Sequence, residues 1–357
     1  MQRTIIIIII VFLVSVITGA LFIIIFHGSG ENTAEETTGE KTENKISFGE
    51  TILISKDYGE TWERAKIPGT FATREIVLSK ITEGRVYVIT ESSGVLLKDK
   101  DSENWKSLPL KKAKKGALYY YLTEDNKGNI YVSAYYDNKG KVIKLNLKNK
   151  TEEEIFETPL SRYAVFGIYT SESGEVLRLV SSDGGLYESV DSGYSWRVLL
   201  RHKEGLLNMA VNSETGDFWT PDSKGKILKF SVASKNFEDV SSGLRNFKGA
   251  DTAQNITFDE SSGFLYLTSG YGALRAKSGL NNWEALSLTI PPESLPIAAV
   301  NVSPYDTTMI YAGAKQQFYK SDNNGKSWRT INLPTILSVS KIAVDKIKPG
   351  IIYVGLK

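Results

Sequence analysis

The chain of 357 residues contains no cysteine. That excludes disulfides, thiolate metal sites, a cysteine nucleophile and lipid attachment through a bacterial lipobox. Histidine is nearly absent as well, with only His27 and His202. A His-based metal centre is therefore not expected, and a Ser-His-Asp triad would have to use one of these two residues. His202 is read as a loop residue. Charge of either sign is not in excess, with 43 Lys and Arg against 41 Asp and Glu. Nothing here calls for a nucleic-acid partner, a bound cofactor or a metal. Proline is sparse too, at 10 residues, whereas the chain holds 18 Tyr, 14 Phe, 6 Trp and 30 Gly. Aromatic residues and glycine without much proline suit many short strands joined by tight turns.

One long apolar run stands apart. Ile5 to Phe26 is 22 residues without a charge or a proline. As a helix rising about 1.5 Å per residue it would cross the roughly 30 Å hydrocarbon core of a bilayer. A cleavable signal peptide has a shorter apolar stretch, of about 7–15 residues. Here Thr18-Gly19-Ala20 is followed by more apolar residues, so an uncleaved signal anchor is expected over residues 1–26. Arg3 precedes the span and Glu31, Glu35 and Glu36 follow it. The positive-inside rule then leaves the N-terminus in the cytoplasm and the rest of this single-pass membrane protein on the extracytoplasmic side. Residues 27–45 are Gly, Ser, Thr, Asn, Glu and Lys with little else, a flexible acidic linker. The folded domain is expected over residues 46–357, with 40 Lys and Arg and 36 Asp and Glu.

A short pattern recurs in that domain. Ser55-Lys56-Asp57-Tyr58-Gly59-Glu60-Thr61-Trp62 returns at Ser189, Asp191, Gly193 and Trp196, and again at Ser321, Asn323, Gly325 and Trp328 with Asn for the acid. The logic is a tight turn between antiparallel strands. The Asp carboxylate accepts hydrogen bonds from the turn's own N–H groups. The Gly takes a positive φ that a side chain resists. The Trp opens the next strand and lays its ring over the turn. Worn copies end at Trp105 and Trp283, and Phe156 and Phe237 hold the same position in two further units. From Trp62 to Trp328 the spacings are 43, 51, 40, 41, 46 and 45 residues. A period near 45 is that of a four-stranded propeller blade.

Six units read as complete sets of four strands. The seventh is split, because the chain ends on two strands, Ser340–Val344 and Ile351–Leu356, and the domain begins on two others, Thr51–Ser55 and Thr61–Ile67. Joining the two halves completes one blade and closes the ring without an exposed edge. The expected fold is all-β, a seven-bladed propeller of four-stranded antiparallel blades behind one transmembrane helix.

The repeated turn resembles the Asp-box, or BNR, repeat of sialidase-like and sortilin-like propellers. That resemblance implies a repeat architecture more than any one activity. It implies that Asp57 and Asp191 stabilise hairpins and are not catalytic acids. A sialidase would need an arginine cluster and an Arg-Ile-Pro motif near the first blade, and the nearest string, Lys66-Ile67-Pro68, has Lys for Arg. Xyloglucanase-like enzymes use two such propellers with a cleft between them, and this chain has one ring. Single-ring chains of this size resemble the photosystem II stability/assembly factor-like propellers. Those imply a non-catalytic module that binds a partner polypeptide through a basic patch.

The loops between the fourth strand of one blade and the first of the next share one face of a propeller. They carry Lys66, Arg74, Lys111, Lys112, Lys114, Lys115, Arg162, Arg201, Lys203, Arg245 and Lys248, against Glu75, Glu204, Asp251 and Glu293. Phe71, Tyr163 and Phe247 lie among them. A basic face with aromatic anchors suits an acidic or extended protein segment. A solvated lysine loop is the plainer explanation of Lys111–Lys115. A glycan, bound or cleaved at the mouth of the channel, is the alternative ligand. A purely structural surface protein is the third possibility.

Overall fold

The computed structural model describes residues 51–357, apart from 68–70, 101, 103, 278–280, 289, 292 and 293. The membrane-anchor and linker expectations fall outside the described residues. Among the described residues no helix is long and apolar enough to cross a membrane.

Among the described residues, twenty-eight strands form seven four-stranded antiparallel sheets. Blade 1 is Thr73–Leu78, Val86–Thr90, Val95–Lys98 and Lys106–Ser107. The next five blades repeat this order, with innermost strands Leu118–Glu124, Val165–Thr170, Ala210–Val211, Asn255–Asp259 and Ala299–Val302. Blade 7 combines Val339–Val344 and Ile352–Leu356 with Ile52–Ser55 and Glu63–Arg64 from the start of the domain. The two chain segments pair antiparallel from Ile52↔Gly355 to Ser55↔Ile352, which is the closure the strand arithmetic requires. The ends meet on the same side as the loop between blades 6 and 7, since Leu356 N–H donates to Thr51 O at 2.8 Å and Ser338 N–H to Lys357 O at 2.9 Å.

Second strands are buried throughout, as in Val86–Thr90 and Leu177–Ser181. Each sheet there is sandwiched between its neighbours. Fourth strands such as Arg197–Arg201 and Asn236–Asp239 are largely exposed, with polar residues outward. Innermost strands such as Thr73–Leu78 are half-buried, so burial peaks at the second strand and falls towards the rim, as a radial stack of sheets around a channel requires. The apolar cores lie between blades. One contains Ile52, Ala65, Phe71, Ile76, Val86 and Trp105 of blades 7 and 1, and the others repeat the arrangement around the ring.

The repeated turns hold blades together as well as shaping hairpins. Asp57 Oδ1 accepts from Thr61 N–H at 2.9 Å and from Ser55 Oγ at 2.8 Å, and Asp57 Oδ2 from Thr61 Oγ1 at 2.5 Å. Ser55 Oγ in turn accepts from Gly59 N–H at 2.7 Å. Asp191 repeats the set with Ser195 and Ser189. At Asn323 the Oδ1 still accepts from Ser327 N–H at 2.9 Å, while Nδ2 donates to Ser327 Oγ at 2.7 Å. The amide reverses one hydrogen bond and keeps the turn.

Two details differ from the sequence reading. The residue before each glycine, Tyr58, Ser192 or Asn324, also has positive φ. The Trp reaches past its own turn, and the strand starts one residue later. Trp196 Nε1 donates to Ile155 O of the preceding blade at 2.6 Å, and Trp283 Nε1 donates to Val240 O at 2.9 Å. Trp62 stands edge-on to Phe318 of blade 6, with centroids 4.8 Å apart. At Trp196 and Trp283 the indole brings a large apolar area and an N–H donor across the interface together, whereas Trp328 Nε1 donates to Gly325 O of its own turn and Trp62 contributes its ring alone.

Candidate docking face

In antiparallel blades the repeated turns and the turns between strands 1 and 2 lie at one end of the sheets. The loops between blades lie at the other end, beside the turns between strands 2 and 3. That second end carries the basic residues singled out above.

Their arrangement begins with bulges in the innermost strands. In blade 1 the register passes from Thr73↔Thr90 to Glu75↔Ile89, which leaves Arg74 unpaired. In blade 2 it passes from Tyr119↔Ala134 to Tyr121↔Ser133, which leaves out Tyr120. In blade 3 it passes from Val165↔Ser181 to Gly167↔Val180, which leaves out Phe166. In blade 7 the extra residue is Ser340. A bulge bends its strand and re-aims one side chain. Here three of the re-aimed side chains meet. The Arg74 guanidinium lies 4.7 Å above the Tyr120 ring centroid, and Tyr120 meets Phe166 edge-on at 4.9 Å. All three remain partly exposed. They make a cation–aromatic row across blades 1, 2 and 3 at the rim of the channel.

The other basic residues are disposed unevenly. Lys111 and Lys112 turn their backbone N–H groups to the Glu152 carboxylate at 2.9 and 2.6 Å. Lys114 is paired with Asp137 at 2.5 Å. Lys115 is exposed beside them. Arg162, also exposed, has a φ of +71° and donates its N–H to Asn138 O at 2.8 Å. Arg201 is paired with Asp183 at 3.0 Å and touches the Tyr187 hydroxyl at 3.3 Å. Arg245 and Lys248 line a separate cavity of about 660 Å³ with Phe247 and Asp251, and Phe247 meets Tyr271 edge-on at 5.0 Å. The structure thus gathers Arg74 with Tyr120 and Phe166, gathers Lys111 to Lys115 in one loop, and leaves Arg245 and Lys248 on another part of the ring.

Several sequence assignments to this face need correction. Phe71 is 4% exposed, because its ring enters the apolar core between blades 7 and 1. Glu75 points into the channel, where Lys341 approaches it to 2.9 Å. Lys66 lines a cleft between blades 7 and 1. Glu293 lies outside the described residues. The turns between strands 2 and 3 add acids that a count of inter-blade loops omits, namely Glu91, Asp137, Asp183 and Asp222. Sequence reasoning also missed Tyr120 and Phe166. The run Tyr119-Tyr120-Tyr121, which interrupts period-2 alternation, was the available signal.

Asp57 and Asp191 have the electrostatics of structural carboxylates. Partial burial pushes the Asp57 carboxyl up, but hydrogen bonds from Thr61 and Ser55 outweigh it and hold the group at about 2. Hydrogen bonds from Ser195 and Ser189 hold Asp191 at about 2. A general acid needs the opposite shift. His202 sits in a loop with Nε2 3.0 Å from Asp222 Oδ2, and Asp222 Oδ1 caps the turn by accepting from Lys224 and Lys226 N–H groups.

The hub encloses a cavity of about 830 Å³ that opens on the side of the repeated turns. Asn208, Asn255 and Asn301 line it with Glu75 and Lys341. Lys341 Nζ also donates to Asn255 Oδ1 at 3.3 Å, and Asn208 Nδ2 donates to the same oxygen at 3.1 Å. Lys80 crosses the mouth to Ser213 Oγ at 3.1 Å. Loss of water around its ammonium, and nearby Lys346, lower its pKa.

Among solved structures the chain is similar in fold to a GH74 xyloglucanase from Xanthomonas campestris, with 16% identity, a TM-score of 0.65, and coverage of 83% of this chain and 52% of that one. It spans about half the length of that enzyme. It is also similar to YCF48 bound to a D1 peptide, with 13% identity, a TM-score of 0.64, and coverage of 82% and 95%. YCF48 from Cyanidioschyzon merolae matches at 14% identity and a TM-score of 0.64, covering 82% and 98%. No protein-family model matches the chain. No curated protein matches it either. At these identities the likeness establishes the seven-bladed propeller and leaves activity open.

Proposed function

We propose that this chain is a membrane-anchored extracytoplasmic propeller that binds an acidic or extended protein segment on its inter-blade loop face, without catalysis. Ile5 to Phe26 is the anchor and the N-terminus is cytoplasmic. The observation that carries the docking reading is the row Arg74–Tyr120–Phe166, formed by bulges in three adjacent blades. Its arginine suits a carboxylate, and its two rings suit an apolar or aromatic side chain next to it. Lys111, Lys112 and Lys115 add long-range attraction. The YCF48 structure, a propeller with a peptide bound, supports the reading at the level of fold.

The test is affinity capture from solubilised native membranes with the full-length chain as bait. A partner held by the wild type, released by salt, and lost with Arg74→Glu or with Lys111, Lys112, Lys114 and Lys115 all changed to Glu would support the face. Equal capture by all three baits would remove it.

Glycan binding or cleavage is the second reading, favoured by the hub cavity. Its carboxylate and amide lining, Glu75 with Asn208, Asn255 and Asn301, suits hydroxyl groups. Release of reducing ends from xyloglucan oligosaccharides, abolished by Glu75→Gln, would move the assignment to an enzyme.

A further inference from the structure

The cleft between blades 7 and 1 is lined by several lysines. It encloses about 390 Å³. Among the described residues its walls carry Lys56, Arg64, Lys66, Lys98, Lys100 and Lys348, with Glu63 and Asp345 as acids. Both acids are already engaged. Glu63 is paired with Lys56 at 2.8 Å, and Asp345 Oδ1 accepts the N–H groups of Ile347 and Lys348 at 2.7 and 2.9 Å. Lys100 is paired with Glu83. Lys66, Lys98 and Lys348 remain, with no carboxylate in ion-pair range among the described residues. The floor between the cations is apolar, made by the half-buried Ile54 and Ile351 over the buried Ala65, Trp105 and Tyr353.

Glu83, the partner of Lys100, also attracts Lys348, which leaves Lys66 and Lys98 as the least compensated of the set, and an anion in the cleft offsets the repulsion between neighbouring lysines. A cleft with lysines around a small apolar floor suits a ligand whose flat body carries charges at its edges. A sugar ring with a carboxylate does this, since its C–H faces lie on apolar side chains while the carboxylate reaches a lysine. A bare phosphate chain would leave the floor unused. We infer that the cleft between blades 7 and 1 binds a short acidic oligosaccharide of the uronic-acid class. Lys66, Lys98 and Lys348 take its carboxylates, and the half-buried Ile54 and Ile351 of the floor take a ring. The site is separate from the Arg74 row, so either can fail without the other.

The probe is tetragalacturonate, titrated calorimetrically into the full-length chain in detergent, with neutral tetragalactose and inorganic tripolyphosphate as comparisons. Saturable binding of tetragalacturonate that weakens as salt is raised is expected, with neither comparison matching it. Each single change of Lys66, Lys98 or Lys348 to Gln should weaken binding about two- to fivefold, the range of solvent-exposed charge pairs. The triple variant should lose it. Its urea midpoint, and the single Lys66→Gln variant, guard against a folding defect. No binding of tetragalacturonate would overturn the proposal, as would equal binding by the triple variant. Tripolyphosphate binding as tightly to the same three lysines would overturn the saccharide assignment.

Discussion

Replacing Gly59 by alanine should destabilise the propeller by about 2–5 kcal/mol, and the structure divides that figure into two parts. Gly59 has a φ of +88°. An L side chain held in the left-handed region costs about 1–2 kcal/mol. The second part is contact, because a Cβ at Gly59 would lie 2.5 Å from Cε1 and 3.0 Å from Cζ of Phe318. That ring is fully buried in blade 6 between Tyr311 and Trp62. Forcing a carbon into such a core costs about 1–3 kcal/mol more. Gly263 supplies the control, since its φ is +68° and nothing lies within 4 Å of a Cβ built there. Gly263→Ala should show the backbone part alone. The assay is urea unfolding of both variants, followed by tryptophan fluorescence and circular dichroism. If Gly59→Ala is no worse than Gly263→Ala, the turn does not press on the neighbouring blade, and the account of these turns as inter-blade fasteners fails.

Acid should weaken the fold through the same turns. Asp57 and Asp191 in those turns, and Asp239 at the end of a fourth strand beside Lys226 and Ser241, are held at about 2, below their ordinary value of 3.8. The folded chain therefore binds fewer protons than the unfolded one, so the stabilisation is complete above about pH 4 and is lost as pH falls from there through 2. Asp191→Asn, which follows the geometry seen at Asn323, should flatten part of that slope in urea midpoints measured across this window. Arg178 and Glu188 form a buried pair at 2.9 Å with side chains 9% and 4% exposed. Arg178→Met strands part of that charge and should cost about 3 kcal/mol, and a loss below about 1 kcal/mol would show that Arg197, which also reaches Glu188, compensates alone. Deleting residues 350–357 removes the strand that pairs with both Ile52–Ser55 and Val339–Val344. The ring should open, and unfolding should lose its cooperativity in calorimetry.

Much of the architecture was legible because it repeats. Trp62, Trp196 and Trp328 mark the period, and the strand count at the two chain ends dictates the closing blade. The strands expected at the two chain ends followed within a few residues, with Ser340–Val344 observed as Val339–Val344 and Ile351–Leu356 as Ile352–Leu356. The site was legible only in part. Arg74 and the lysines of Lys111–Lys115 could be assigned to a loop face from connectivity. Their partners could not, because Asp137 comes from a turn between strands 2 and 3 and Glu152 from a fourth strand, and a count along inter-blade loops does not register them. Phe71 was misassigned for a related reason, since an aromatic residue near a loop has no label telling core from surface.

The sequence by itself determined the number of blades, the way the ring closes and the conformation of the repeated turns. All three rest on local chemistry: a glycine at positive φ, a side-chain oxygen capping its own turn, and alternation along short strands. The tertiary structure decided what those units bring together. A one-residue bulge in each of three innermost strands aligns Arg74, Tyr120 and Phe166, and the joining of the chain ends sets Lys66 and Lys348 into a cleft with Lys98. Both depend on register and on contacts between blades far apart in the chain. No local window of residues contains that information, because it is fixed only when the ring closes and neighbouring sheets pack.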